Sequence, residues 1–395
     1  MVEDPIYLSP EEKKRMAYIE GRPDLFETKV LKILGSPSDT KVSEKNILVT
    51  TRNPGSGNAL VPVLRELMKD NEVSITALTD GRAEEILEQN FQTQDISPEN
   101  SILEAEKVIP VPRVILMDVA SAETGLDTYA IATFIDTPKV YVEDYYTTAR
   151  EFFIELSKRN LPLPDKICVI DQGAKDIIVQ RFPELEGRIE ITGQPAFDKF
   201  AYEDTEKLAQ ETKKKLGLGP SDMLVSFMST IDELEKITRM AEALKKSGSN
   251  FYFVFRRHPR DNTSYGAYKK ILIDAGLKVV DTEEFPTNDI GAASDVILTT
   301  WSTEGLHGIY RRKPTVHITD SHFKIAEGLD LPLVPVKLGA SIGIDQMGKL
   351  IEVLPQLLDK NSETNKILKE NMKKNYPVDG KSAKRVANII RQYVI

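Results

Sequence analysis

Short apolar runs alternate with stretches of helical periodicity along most of this chain, and most of the apolar runs end on a polar residue. Ile47-Leu48-Val49, within Lys45–Thr51, reads as a buried strand. Asn53–Asn58 reads as a turn, and Ala59–Lys69 as a helix with Leu60, Val63, Leu64 and Leu67 on one face. Further strands are predicted at Val73–Leu78, at Val114–Met117 ending on Asp118, and at Lys139–Val142 ending on Glu143-Asp144. Lys166–Ile170 ends on Asp171, and Arg188–Thr192 runs into Gly193-Gln194-Pro195. After a charged helix at Tyr202–Leu216 and a break at Gly217–Asp222, the alternation restarts. Its strands are Met223–Phe227, Tyr252–Arg256, Lys278–Val280, Val296–Thr299 and Thr315–Ile318. Its helices are Asp232–Lys246, Glu304–Arg311 and Ile342–Leu357, and the chain closes on a helix at Ser382–Tyr393. Strands separated by helices imply parallel sheets covered on both faces, here in two successive α/β series. The first 45 residues are charged and mostly helical in pattern, with a helix start at Ser9-Pro10.

Length and composition agree with this picture. The 395 residues exceed one ordinary core, and 41% hydrophobic with 29% charged residues is a globular balance. The net charge of −9 argues against an overall basic nucleic-acid binder. The single cysteine, Cys168, lies in an apolar run, so neither an intrachain disulfide nor a cysteine-based zinc site is expected. With no leader-like or membrane-spanning pattern, a cytoplasmic location is expected, and peripheral membrane contact stays open.

Ligands of open parallel sheets bind beyond the C-terminal ends of the strands, so polar residues there carry the candidate chemistry. Gly55-Ser56-Gly57-Asn58 would either offer backbone N–H groups to an anion or simply turn the chain. Asp118 ends an apolar strand and is the candidate general base, with Glu123 as its rival; Asp144 and Asp171 read as structural. His258, with Arg256, Arg257 and Arg260, suits a diphosphate. Ser229 and Thr230 follow another strand. Thr300, Ser302 and Thr303 precede a helix and can hold phosphate, while Glu304 can accept hydrogen bonds from two ribose hydroxyls. A capping box at Ser302 is disfavoured, because the third residue after it is Gly305.

The run Ala293–Thr300, with Glu304 and Lys313-Pro314-Thr315-Val316, resembles the donor-site signature of GT-B glycosyltransferases. Ile191-Thr192-Gly193-Gln194-Pro195 with Asp198 resembles the segment that ends the first domain in that superfamily. It is similar in lipid-A-disaccharide synthase, the peptidoglycan-precursor N-acetylglucosaminyl transferase and UDP-N-acetylglucosamine 2-epimerase. His258-Pro259-Arg260 also resembles a His-Pro pair of the CDP-glycerol glycerophosphotransferases. Two departures are visible: Asn58 stands where the peptidoglycan enzyme has His, and Thr300–Thr303 lacks the glycines of the epimerase turn.

The resemblance implies a GT-B fold, with two doubly wound Rossmann-like domains facing across a cleft. It implies a helical extension at 1–45, an acceptor domain at 46–205, a nucleotide-sugar domain at 206–380, and a helix at 381–395 that returns to the first domain. The implied activity is metal-independent, cofactor-free transfer of a sugar, as hexosyl or N-acetylhexosaminyl, from a UDP-linked donor to an acceptor hydroxyl. A UDP-sugar epimerase or hydrolase, or a non-catalytic nucleotide-sugar-binding protein, are the alternatives. The acceptor, whether glycan, lipid-linked or small, stays open, a homodimer is compatible, and no nucleic-acid partner is expected.

Overall fold

The computed structural model describes residues 30–35, 45–79, 82–95, 111–118, 125–228, 234–258, 261–300, 302–320 and 333–394. The chain divides into two compact units, residues 1–198 with 380–395, and residues 199–379. The division falls at Lys199 rather than at 206, because the segment after Asp198 packs with the second unit.

The first unit is built on β1 (Val30–Leu34), β2 (Lys45–Thr51), β3 (Val73–Thr79), β4 (Thr93–Asp95), β5 (Val114–Met117), β6 (Lys139–Val142), β7 (Lys166–Val169) and β8 (Ile189–Ile191). Their order across the sheet is β4-β1-β3-β2-β5-β6-β7-β8. From β3 to β8 every pairing is parallel; only β1 is antiparallel, to β3 on one side and β4 on the other. The inner strands are buried end to end, as Val114–Met117 is, because helices cover both faces. Those helices are α1 (Pro54–Leu67), α2 (Arg82–Asn90), α3 (Gly125–Thr133), α4 (Thr148–Lys158) and α5 (Gln172–Arg181).

Two expectations are corrected here. Residues 30–34 are a strand, not part of a helical extension. Val30–Leu34 takes the open edge of β3, and its central Lys32 is buried, with its ammonium 2.7 Å from Glu88 and 3.2 Å from Glu84 on α2. The Ser9-Pro10 helix start lies outside the described residues. Asn53–Asn58 is not a turn either. Helix α1 begins at Pro54, whose ring presets the helical φ at a position where no N–H bond is needed, so Gly55–Asn58 form its first turns.

The second unit holds β9 (Leu224–Met228), β10 (Tyr252–Arg256), β11 (Lys278–Val279), β12 (Val296–Thr299), β13 (Thr315–Ile318) and β14 (Ile342–Ile344), all parallel in the order β11-β10-β9-β12-β13-β14. Its helices are α6 (Thr205–Lys215), α7 (Leu234–Lys246), α8 (Tyr265–Asp274), α9 (Thr287–Ala293), α10 (Thr303–Tyr310), α11 (Val334–Lys337), α12 (Lys349–Leu358) and α13 (Glu363–Asn375). The predicted helix over 342–357 is in fact strand β14 followed by α12. Gly343 makes the strand fit, since a Cβ there would stand 2.9 Å from a Val336 methyl.

The last helix, α14 (Ser382–Val394), belongs to the first unit. Val386, Ala387, Ile390 and Val394 join one apolar cluster with Ile47 and Val49 of β2 and Leu64 of α1. Asp198 caps it from a distance in sequence, its carboxylate accepting from the N–H groups of Ser382 (2.9 Å) and Ala383 (2.8 Å). Arg385 Nε donates to the Thr192 carbonyl at 2.8 Å. Gly193 has a positive φ of 80°, and a Cβ on it would meet Ser382 Oγ at 2.5 Å. The Thr192-Gly193-Gln194-Pro195 segment and Asp198 therefore form the seam that receives α14. Among the described residues no helix is long and apolar enough to cross a membrane.

Removal of the distant cap should weaken the docking of α14. Asp198→Ala is expected to cost about 1–2 kcal/mol in denaturant unfolding, while Lys384→Ala, on the exposed face of the same helix, stays within about 0.5 kcal/mol.

Candidate functional site

The first unit brings carboxylates together at the C-terminal tips of β5, β6 and β7. Asp118 is 1% exposed, and neither of its oxygens has a hydrogen-bond partner among the described residues. Burial drives its pKa well above the usual carboxylate range, and the negative charges of Asp144, Asp127 and Glu143 add to this. Glu143 is equally buried. Burial pushes it up too, with Asp171 and Asp144 adding and the Ile170 backbone N–H opposing. Asp144, beside it, is pushed up to about 6 by burial. Asp127 accepts from the Thr50 hydroxyl. Asp171 is paired as well: it caps α5 by accepting from Ala174 N–H at 2.9 Å, and it accepts from the Tyr146 hydroxyl at 2.5 Å. Gln194 closes the group, its amide donating to the carbonyls of Glu143 (3.0 Å) and Asp144 (2.7 Å).

Glu143 is the candidate that sequence reasoning missed. Its position after an apolar strand was visible, but its lack of a cationic partner was not. Glu123 lies outside the described residues. The start of α1 adjoins this group: a Cβ on Gly55 would stand 2.9 Å from the Asp144 carboxyl carbon, so only glycine fits. Ser56 is buried, with its hydroxyl unpartnered among the described residues; Gly57 packs on Ile86, and Asn58 points out to solvent. These four residues are helical turns beside a carboxylate and do not form a separate loop. Among the described residues, no group of three or more His, Cys, Asp or Glu side chains is placed to hold a metal ion.

In the second unit, Glu304 lies in the first turn of α10. Its Oε1 is 3.2 Å from His307 Nδ1, one turn on, and its Oε2 is buried with no partner among the described residues. Burial alone would push the Glu304 pKa up, but His307, Arg311 and Lys199 outweigh it and hold the carboxyl below its usual range. Ser302 caps α10 singly, its hydroxyl accepting from the Glu304 N–H at 3.3 Å. A single cap needs no glutamate three residues on, so it is compatible with the reciprocal box being disfavoured. Thr303 begins the helix, half-buried, and Thr300 is buried at the end of β12.

Arg256 turns away from a purely ligand role. Its guanidinium donates to the Thr282 carbonyl and, at 3.0 Å, to the Thr287 hydroxyl. His258 stands half-buried just after β10. Ser229, Thr230 and Arg260 lie outside the described residues.

Two glycines let α10 lie close on the sheet. A Cβ on Gly305 would be 2.9 Å from the Thr299 methyl and 3.0 Å from His317 Nε2; one on Gly308 would be 2.7 Å from Ile297 and from Thr315. Ser341 donates to the Thr315 carbonyl at 2.9 Å, so its oxygen accepts from His317 Nδ1–H at 2.5 Å. Burial pushes the His317 pKa down to about 4, so this imidazole is neutral.

The family model described as CDP-Glycerol:Poly(glycerophosphate) glycerophosphotransferase matches residues 140–392, well over half of the sequence. The chain belongs to that family. The match takes in Glu143, His258 and Glu304 and leaves Asp118 and Gly55–Asn58 outside it. No curated protein sequence matches the chain. Among solved structures it is similar to MnaA of S. aureus in complex with UDP, with a TM-score of 0.63 at 14% identity over 89% of this chain and 97% of that one. It is similar to UDP-GlcNAc 2-epimerase from Neisseria meningitidis bound to UDP-GlcNAc, with a TM-score of 0.62 at 16% identity over 88% and 100%. The wall teichoic acid polymerase TagF with CDPG gives a TM-score of 0.53 at 14% identity over 97% and 93%. These likenesses show the GT-B fold with two Rossmann-like domains.

Two outcomes test this geometry. Gly305→Ala should lower the melting temperature, because its methyl meets Thr299 and His317, which are both fully buried. For Asp144, a pKa raised to about 6 in the fold means that the folded state holds the proton more tightly. That contribution is fully present below about pH 4, the unfolded carboxylate value, and is lost as pH rises to about 6. Asp144→Asn should therefore flatten the fall in stability across that window, measured by thermal melts at stepped pH.

Proposed function

We propose that this protein transfers a phosphate-linked group from a nucleoside-diphosphate donor to an acceptor hydroxyl, with CDP-glycerol as the donor class. The family match supports a cytidine donor over the UDP-linked sugar that the resemblance implied. The observation that carries the donor site is the Glu304 carboxylate: ionised, with its buried Oε2 unpartnered among the described residues. A buried charged acceptor without a donor is costly, and a ribose hydroxyl supplies that donor. The N–H groups at the start of α10, with Thr303 and His258, take the diphosphate; Ser229, Thr230, Thr300 and Arg260 belong to the same proposed set.

In glycerophosphate transfer, the acceptor oxygen forms a bond to the glycerol-bearing phosphorus. The bond from that phosphorus to the bridging oxygen breaks, CMP leaves, and the hydroxyl proton passes to a carboxylate. Asp118 is the proposed acceptor of that proton and Glu143 its rival. Burial of both raises basicity, which suits proton capture once the acid form has been emptied. The same unpartnered acid pair favours a second reading, in which two carboxyls exchange a proton on a UDP-linked sugar, as in an epimerase.

The nucleotide product separates the readings. Incubation with CDP-glycerol and a hydroxyl acceptor should release CMP; in a parallel incubation with a UDP-linked sugar, release of UDP would mean glycosyl transfer, and an altered sugar without release would mean epimerisation. Binding without turnover would make this a nucleotide-binding protein. Glu304→Ala should weaken CDP binding by about 1.5–3 kcal/mol in calorimetry, and unaltered affinity would remove the ribose assignment.

A further inference from the structure

A second polar pocket of about 590 Å³ lies within the second unit, at the N-terminal ends of β12 and β13. These are the ends opposite to those carrying Thr300 and Glu304. Asp295 enters β12 there, and Lys313-Pro314 enters β13. In a chain of net charge −9, the lining is cationic, with Lys213, Lys313, Lys360, Lys369 and Lys373 against Asp295 and Glu206.

The pairing inside this pocket is incomplete. Asp295 Oδ2 takes Lys213 at 2.7 Å and the Leu224 N–H at 2.9 Å, and its Oδ1 is 3.6 Å from Lys360. The other nearby cations are committed: Arg311 to Glu203 and Asn288, and Arg312 to the carbonyls of Ile309, Met372 and Tyr376. The Arg312 contacts also fix the C-terminal part of α13, the helix that presents Lys369 and Lys373. The side-chain amines of Lys313, Lys369 and Lys373 make no hydrogen bond or ion pair with a described residue. The Lys313 amine is pushed down to about 8 by burial and by Lys213, Lys360 and Arg311, which outweigh Asp295. Lys369 is lowered by burial, then by Lys360 and Lys373. Asp295 does not offset all of these lysines, ammonium groups in one pocket repel one another, and a bound anion removes that cost. The pocket also contains an acceptor without a donor. Asn365 is 1% exposed, its amide donates to the Leu357 carbonyl at 2.8 Å, and its Oδ1 is buried and unpartnered among the described residues.

We infer that this pocket binds a phosphate ester bearing a free hydroxyl, the phosphate lying among Lys313, Lys369 and Lys373 and the hydroxyl donating to Asn365. The inference does not rest on the donor assignment, whose residues sit at the opposite strand ends. The ester has two sources, a soluble sugar-alcohol phosphate or the headgroup of an anionic phospholipid.

Glycerol 3-phosphate titrated calorimetrically into the full chain, and sedimentation with vesicles containing phosphatidylglycerol, tell them apart. The triple variant Lys313→Gln, Lys369→Gln, Lys373→Gln should lose at least about tenfold in affinity for whichever probe binds, and binding to the wild type should weaken with added salt. His258→Ala should leave that affinity unchanged, so a failed donor assignment leaves this result standing. Lys373→Gln alone, on an exposed side chain, guards against misfolding and should lose several-fold. Binding of glycerol 3-phosphate alone assigns a soluble ligand, and lysine-dependent vesicle binding assigns a headgroup. Unaltered affinity in the triple variant, or no binding of either probe by the wild type, overturns the inference.

Discussion

One buried guanidinium organises the second unit. The Arg311 side chain is 0% exposed. It donates to both Glu203 oxygens at 2.6 Å and to Asn288 at 2.7 Å, and it stacks at 4.7 Å on the ring of Phe200. A guanidinium cannot shed its charge, so leaving it buried and unpaired would be prohibitive. The segment before α6, the first turn of α9 and the end of α10 must therefore meet at one point. Glu304, His307 and Arg311 fall on one face of α10 and its last turn, at three- and four-residue spacing. Hence the group that fixes the helix also adds, after His307, to the positive field that lowers the Glu304 pKa, and Glu304 is the residue on which the donor proposal depends.

The two units handle charge in opposite ways. Around Glu304, cations outnumber carboxylates, and the acid is ionised despite burial. At the tips of β5 and β6, carboxylates gather with no cation among the described residues offsetting them, and their pKa values rise. A carboxyl of raised pKa keeps a proton that an ionised carboxylate has already released, so the two units present carboxyls in different states.

Much of the fold was legible in the sequence because parallel strands buried on both faces announce themselves as apolar runs. Val114–Met117, Val296–Thr299 and Thr315–Ile318 match their predicted limits. What escaped has physical reasons. Val30–Leu34 carries a lysine at its centre, and only its pairing with Glu84 and Glu88 makes it a buried strand. Pro54-Gly55 reads as turn chemistry, yet proline at the first helical position starts α1. Ile342–Ile344 is too short to show a period. At the candidate site, the positions of Asp118 at a strand end and of Glu304 at a helix start were readable. The Arg311–Glu203 pair, 108 residues apart, was not, and neither was the burial of Glu143 among other carboxyls, because both depend on tertiary neighbours.

The central claim is that Arg311 holds Glu304 ready for a nucleotide, and a double-mutant cycle on CDP binding tests it most directly. Arg311→Lys keeps the charge but cannot reproduce the forked contact with Glu203, so it should weaken binding severalfold in a background with Glu304. In a Glu304→Ala background it should do little more harm, leaving a coupling energy of about 0.5–3 kcal/mol. Fully additive losses, or wild-type affinity in Arg311→Lys, would contradict the account.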